Sequence, residues 1–230
     1  MKSDPFGILV VDKEKNMTSH DVVDLVRRKF KIKKVGHAGT LDPNATGVLV
    51  LLVGNATKLS DKFLNQDKEY VATMKLGERT DTGDSDGKII GTFDVRVSQK
   101  KAKDVMAEFV GEIDQVPPMV SAKRVNGKRL YKIARKGLEV ERRPRKVVIK
   151  ELVPLDIKLP LVTFRVACSK GTYIRQLADD IGGKLGCGAH LTELKRTRSG
   201  PFSLEQAVPL STLSGMNWDA LDENIIRIQK

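Results

Sequence analysis

The chain has 230 residues, 40% of them hydrophobic, and 41 Lys and Arg against 29 Asp and Glu give it a net charge of +12. That length and apolar content suffice for a sizeable core and exclude a disordered chain. Two cysteines, Cys168 and Cys187, without C-x-x-C spacing exclude a disulfide framework and a structural zinc, and no apolar run reaches membrane-spanning length.

The excess of Lys and Arg suits a polyanionic partner, because each phosphate neutralised releases counterions. A short apolar run, Ile8 to Val11, reads as a buried strand rather than the core of a signal peptide. These features together predict a cytoplasmic, non-membrane protein. After a polar turn, Thr18 and Asp21 form a capping-box pattern. The helix it opens places Val22, Val23, Val26 and Phe30 on one face and Arg27, Arg28 and Lys29 toward solvent. Lys31 to Lys34 prolongs that basic surface into a glycine-rich loop, Val35 to Gly47.

The loop holds Gly36, Gly39, Gly47, His37 and the Asp42-Pro43 step, and the wholly apolar Val48 to Val53 follows it as a predicted central strand. Such a loop either makes a simple Asx-type turn at Asp42 or holds one carboxylate still in a concave site. Lys68 to Leu76 alternates, with Tyr70, Ala72, Met74 and Leu76 on one face. An acidic loop from Thr80 to Gly87 follows. Ser98 is the expected cap of a helix burying Ala102, Val105, Met106 and Phe109.

From Gln115 to Lys150 the composition turns strongly basic behind Val116-Pro117-Pro118, with Tyr131, Leu130 and Ile133 embedded. This stretch reads as an excursion along nucleic acid rather than a solvated face. Val162 to Cys168 alternates as a strand and runs into Ser169-Lys170-Gly171-Thr172-Tyr173-Ile174-Arg175. A helix then carries Tyr173, Leu177, Ile181 and Leu185 at four-residue spacing and ends at Gly186 to Gly188. Leu191 to Arg198 is a mixed stretch. Without regular β-α-β spacing, the pattern predicts an α+β fold with a mixed, largely antiparallel sheet flanked by helices.

Competing chemistries find little support. Gly36-x-x-Gly39 lacks a P-loop ending, no Rossmann signature follows the first strand, and His20, His37 and His190 are scattered without metal spacing. No serine nucleophile elbow occurs. What remains is one carboxylate on a loop, a large basic surface and tyrosines near strand ends. A carboxylate becomes a covalent nucleophile when it is kept ionised and held against an electrophilic carbon, and a guanidinium can do both. Arg175, which opens a helix after a glycine turn, is a candidate for that guanidinium. Taken singly, Arg175 reads as a surface arginine, and Tyr70 and Tyr173 read as core aromatics.

Gly36-His37-Ala38-Gly39-Thr40-Leu41-Asp42-Pro43 resembles the catalytic motif of the tRNA pseudouridine-55 synthases, the TruB family. The resemblance extends in order over most of the chain. Thr18-Ser19-His20-Asp21 resembles the first motif, and Lys68-Glu69-Tyr70 stands at the expected distance from the loop. Gln115 to Pro118, Ser121-Ala122 and Val125 to Tyr131 resemble the family's thumb insertion, here about 116–150. Ser169 to Arg175 and Leu185 to Leu191 complete the series.

The resemblance implies a single pseudouridine synthase catalytic domain over 1–230, acting on the T loop of tRNA at position 55 on a flipped-out uridine. Asp42 is implied as the nucleophile, attacking C1′ or the base, with Arg175 as its partner. Tyr70 is implied to stack on the base and to be a candidate for handling the C5 proton. Tyr173 and Leu194 are implied to line the uracil pocket, and His37 to fill the space that the flipped nucleotide leaves. Lys13 is a further candidate for contact with the site or with phosphates. The reaction is an isomerisation, so no cofactor, metal, guide RNA or protein partner is expected, and a monomer suffices.

Two departures stand out. Glu14 and Asn16 replace the proline and glycine of the family's usual Lys-Pro-x-Gly turn, and no segment resembling the C-terminal PUA domain of many bacterial relatives follows. Two other readings are open: a guide-RNA-dependent, dyskerin-like synthase, and a tRNA-folding chaperone in which catalysis is secondary.

Overall fold

The structure is a computed structural model that describes residues 6–121, 124–125, 128–130, 138 and 140–228. The chain forms two compact units, residues 1–70 with 194–230 and residues 71–193. It passes from one to the other within two strands, Lys68–Leu76 and Ala189–Ser199.

In the first unit, β1 (Gly7–Lys13) lies antiparallel to β3 (Thr46–Val53), pairing Leu9 with Leu51 and Lys13 with Gly47. The short β2 (Val35–His37) adds to the same β3. Every residue of β3 after Thr46 is buried, as expected of a strand covered on both faces. Ile8, Val10, Val48, Val50 and Leu52 meet Ala38, Ala56, Phe63 and Phe202 in one core. The helix α1 (Ser19–Phe30) starts where the sequence predicts: Thr18 Oγ1 accepts from the Asp21 backbone N–H while the Asp21 carboxylate accepts from that of Thr18. Val22, Val23, Val26 and Phe30 are its buried face and Arg27 to Lys29 are exposed. A short helix, α2 (Ser60–Leu64), carries the buried Phe63.

The second unit contains β5 (Glu78–Thr80) and β6 (Ile89–Thr92), a hairpin around the acidic loop. Its main sheet takes β7 (Gly111–Gln115), β10 (Arg145–Lys158) and β11 (Leu161–Cys168) as antiparallel neighbours, continuing to β4 (Lys68–Leu76) and β12 (Ala189–Ser199). β8 (Arg124–Val125) and β9 (Lys128–Arg129) form a small antiparallel pair inside the basic excursion. β4 alternates as predicted, with Tyr70, Ala72, Met74 and Leu76 buried. The stretch Leu191 to Arg198 is a strand, part of β12, rather than a mixed segment.

The helix α3 runs Gln99–Ala107 with Ser98 as its cap. Its buried face is Ala102, Val105 and Met106; Phe109 lies beyond the helix end and is half-buried, because the chain turns toward β7. The helix α4 (Ile174–Leu185) buries Leu177 and Ile181 and ends at Gly186 in the left-handed conformation. In the basic excursion, Lys123, Tyr131, Lys132, Ile133, Arg135 and Lys136 lie outside the described residues. Both cysteines are buried free thiols. Among the described residues no helix is long and apolar enough to cross a membrane.

Candidate active site

The first unit carries Lys13, His37, Asp42, Tyr70 and Leu194 of the expected site, and the second carries Tyr173 and Arg175. In the first unit the Asp42 loop is gripped at nearly every step. The Ala38 N–H donates to the Val50 carbonyl, which ties the loop's entry to β3. Arg196 donates from Nη2 to the Gly39 carbonyl at 3.0 Å and from Nε to that of Val48 at 2.7 Å. Ser19 Oγ accepts from the Leu41 N–H at 2.8 Å and lies 3.2 Å from the Leu41 carbonyl. The Ala45 N–H closes a turn on the Asp42 carbonyl at 3.0 Å. Asp42 itself stays half-buried.

Lys13 completes the grip. Its side chain is fully buried, and Nζ donates to the carbonyls of Glu14, Met17 and Pro43 at 2.8, 2.7 and 2.9 Å. An ammonium has three donors, and here three carbonyls take them. Lys13 is therefore inside the fold, fastening the turn after Asp42, and is not placed as a surface contact for phosphates. Burial lowers its pKa to about 8, Asp42 opposes that shift, and Arg196 adds to it. Asn16 adopts φ 64, a left-handed turn at the position where the family's usual motif has glycine, and Lys13 makes its three bonds with Glu14 and Asn16 in place.

Gly47 shows why the loop's exit needs glycine. Its φ is +97, and a Cβ there would lie 2.2 Å from the Arg196 carbonyl oxygen, where β3 and β12 pair in parallel. His37, on β2, is half-buried, and its Nδ1 is buried without a hydrogen-bond partner among the described residues. Burial lowers its pKa, with Arg196 and His20 adding to the shift, so the ring is neutral near pH 7. Tyr70 is buried on β4, and Leu194 is half-buried on β12.

In the second unit, Arg175 stands in the first turn of α4 and is buried, not a surface arginine. Its Nη1 donates to the Thr82 carbonyl and its Nη2 to the Val120 carbonyl, both at 2.8 Å, with the Asp84 carboxylate 3.5 Å from Nη1. The acidic loop is thus the cradle of Arg175. Tyr173 precedes the helix, half-buried, with its backbone N–H and carbonyl both bonded by the Gln115 side chain. The roles of Arg196, Ser19 and Gln115 do not follow from the sequence. Its one signal for them is a glycine-rich loop whose carbonyls need donors from elsewhere.

Both units resemble known proteins. Residues 27–174 match the family model of the TruB family pseudouridylate synthase N-terminal domain, and residues 175–228 match that of the tRNA pseudouridylate synthase B C-terminal domain. A tRNA pseudouridine synthase B of Burkholderia pseudomallei is 50% identical over 219 residues, which are 95% of this chain and 72% of the relative. One from Syntrophotalea carbinolica is 51% identical over 211 residues, 91% of this chain and 69% of the relative. A chain in the crystal structure of a Cbf5–Nop10–Gar1 complex superposes with a TM-score of 0.76 at 35% identity, covering 96% of this chain and 60% of that one. A chain in an H/ACA RNP bound to a substrate RNA containing 2′-deoxyuridine gives 0.71 at 33% identity, covering 96% and 56%.

Proposed function

The chain belongs to the TruB family of pseudouridylate synthases and is a tRNA uridine-to-pseudouridine isomerase with the pseudouridine synthase fold; from that premise we propose that Asp42 is its nucleophile and the T-loop uridine, position 55, its target. The observation that carries this reading is the immobilised loop. Ser19, Arg196 and Lys13 hold the backbone on both sides of Asp42 while the residue itself stays only half-buried. A nucleophile fixed in this way meets its target without first losing conformational freedom.

The carboxylate adds to C1′ of the ribose, or to the base, and the bond between N1 and C1′ breaks. The uracil turns and C5 bonds to C1′; on the C1′ route this displaces the carboxylate, and on the base route the carboxylate leaves the base afterwards. C5 then loses its proton and N1, which carries none in uridine, takes one up, so the atoms balance without a co-reactant and the carboxylate is regenerated. The nucleotide must leave the stack first, because a stacked base hides C1′ and C5. Tyr70 stacks on the extruded base and is the candidate for handling the C5 proton, while Tyr173 and Leu194 line the pocket. His37, neutral and with a buried nitrogen lacking a partner among the described residues, suits the gap left in the RNA loop. Arg175 is assigned as the guanidinium that keeps Asp42 ionised. Lys13 acts through the loop it fastens and is a positioning residue.

The enzyme works as a cytoplasmic monomer without guide RNA. The similarity to chains solved in Cbf5–Nop10–Gar1 and H/ACA assemblies favours a second, guide-dependent reading, although the identity to the tRNA pseudouridine synthase B relatives is higher. Pseudouridine formation in an unmodified tRNA transcript, with no guide added, separates the two. Conversion at the T-loop uridine is expected from the wild type and not from Asp42→Asn. No conversion by wild type that still binds the transcript overturns the stand-alone reading.

A further inference from the structure

We infer that Lys31, Lys33 and Lys34 form a track for the RNA sugar–phosphate backbone, leading to the Asp42 loop; this rests on the chain being a tRNA-modifying enzyme and adds where on the first unit the RNA runs. Six of the eight residues from Arg27 to Lys34 are basic and all six are exposed. The two between them, Phe30 and Ile32, are each only 3% exposed, so they pin the backbone that carries the lysines. Phe30 packs its ring edge-on against Trp218, with centroids 6.3 Å apart, and the Lys34 carbonyl accepts from the Gly54 N–H at 2.8 Å. The track is therefore built on fixed points.

A run of lysines after a helix has an ordinary explanation in the helix dipole, whose negative end attracts cations. That explanation covers Arg27, Arg28 and Lys29, which stand in the last turn, and Arg27 and Lys29 have partners in Asp24 and the Ser214 carbonyl. It does not reach Lys33 and Lys34, since the dipole's field fades beyond that turn. Among the described residues, neither they nor Lys31 has a carboxylate partner, so their neutralisation is left to an outside anion.

Lys31 supplies an independent observation. It sits at φ 53, ψ 33, and among the described residues only Asn16 and Lys31 are non-glycine residues at positive φ. Asparagine tolerates that conformation through its short polar side chain; lysine has no such compensation in its backbone, although its charge at the C-cap does meet the helix dipole. Glycine is the residue the backbone asks for at this helix end. Lys31 thus places an exposed charge at a strained backbone position between the helix end and Lys33. Three residues beyond Lys34 comes His37, at most about 10 Å along an extended chain. A strand of RNA whose phosphates follow these lysines arrives beside His37 and the Asp42 loop.

The test is binding of the full chain to an unmodified tRNA transcript between about 50 and about 200 mM salt. The variants are Lys31→Gly, the pair Lys33→Gln with Lys34→Gln, and Lys103→Gln on the exposed side of α3 as a control. Each phosphate left without its lysine is expected to flatten the plot of log Kd against log salt by about 0.7 to about 0.9. The Lys31→Gly protein should melt no lower than wild type, because its turn is relieved, yet bind more weakly. Unchanged slopes in both track variants overturn the proposal, as does an equal loss in the control. Variants that keep their slope on tRNA but lose binding to anionic phospholipid vesicles also overturn it. Wild type that makes pseudouridine while the track variants bind normally sinks the track alone. Wild type that binds with a steep slope reduced in the variants, but makes none, sinks the enzymatic reading and leaves the track as an RNA-binding surface.

Discussion

Lys13 Nζ binds the Pro43 carbonyl at 2.9 Å across thirty residues of sequence, and the same ammonium holds Glu14 and Met17. One buried charge therefore fastens the first turn of the chain to the turn that follows Asp42. Lys13→Met keeps the bulk and removes all three donors. A displacement of the loop by about 1 Å costs on the order of 100-fold in rate. Single-turnover pseudouridine formation at saturating tRNA should fall by about that factor.

The same lysine predicts opposite pH trends for rate and stability. Its folded pKa of about 8 lies below its ordinary value of 10.5. Between those two values the unfolded chain binds more protons, so Lys13's contribution to stability rises with pH across that window. The neutral amine, however, has two donors for three carbonyls. Turnover should decline above about pH 8 while the Lys13-dependent part of stability increases, and the Lys13→Met protein should lack both trends in parallel rate and melting profiles.

Asn16 should accept glycine and reject a branched residue. Left-handed backbone costs about 1 to 2 kcal/mol for residues other than glycine and asparagine. Asn16→Val is expected to lower the melting temperature by roughly 2 to 8 °C and to slow turnover through the Lys13 turn. Asn16→Gly should stay close to wild type in both. Calorimetry and initial rates on the two variants suffice.

Gly47→Ala places a methyl 2.2 Å from a backbone oxygen, at φ +97, where neither strand has a flexible side chain to move. Overpacking of this kind costs about 1 to 3 kcal/mol or more. Urea titration should show a lower midpoint with an unchanged slope. A wild-type midpoint would mean that the parallel pairing of β3 with β12 yields more readily than so close an approach allows.

Arg175→Lys retains charge but not the fork that reaches Thr82 and Val120 together. One half-buried carbonyl is left without its donor, at up to about 1 to 3 kcal/mol. A fall in the rate at saturating tRNA with little change in KM is the expected pattern. A change in KM alone would assign Arg175 to binding.

Much of this arrangement is legible in the chain itself. The Thr18–Asp21 cap, the buried strand at 48–53 and the alternation through Tyr70 all depend on neighbours a few residues away, and all three stand in the structure. The loop around Asp42 is visible because glycine and proline mark backbone needs locally. Its fasteners are not. Lys13 and Arg196 are cations, and a cation in sequence reads as surface; only their distant carbonyl partners explain their burial. Arg175 is legible as a candidate through its motif, but its cradle at Thr82 and Val120 comes from loops far away in the chain.

The Arg196 bond to Gly39 spans 157 residues. During synthesis, a growing chain that has already made β1, α1 and β3 holds Asp42 on a loop still missing one of its clamps. That clamp arrives only when β12 emerges and pairs beside Gly47. The backbone around Asp42 is therefore fully fastened only once the chain has been made as far as Arg196.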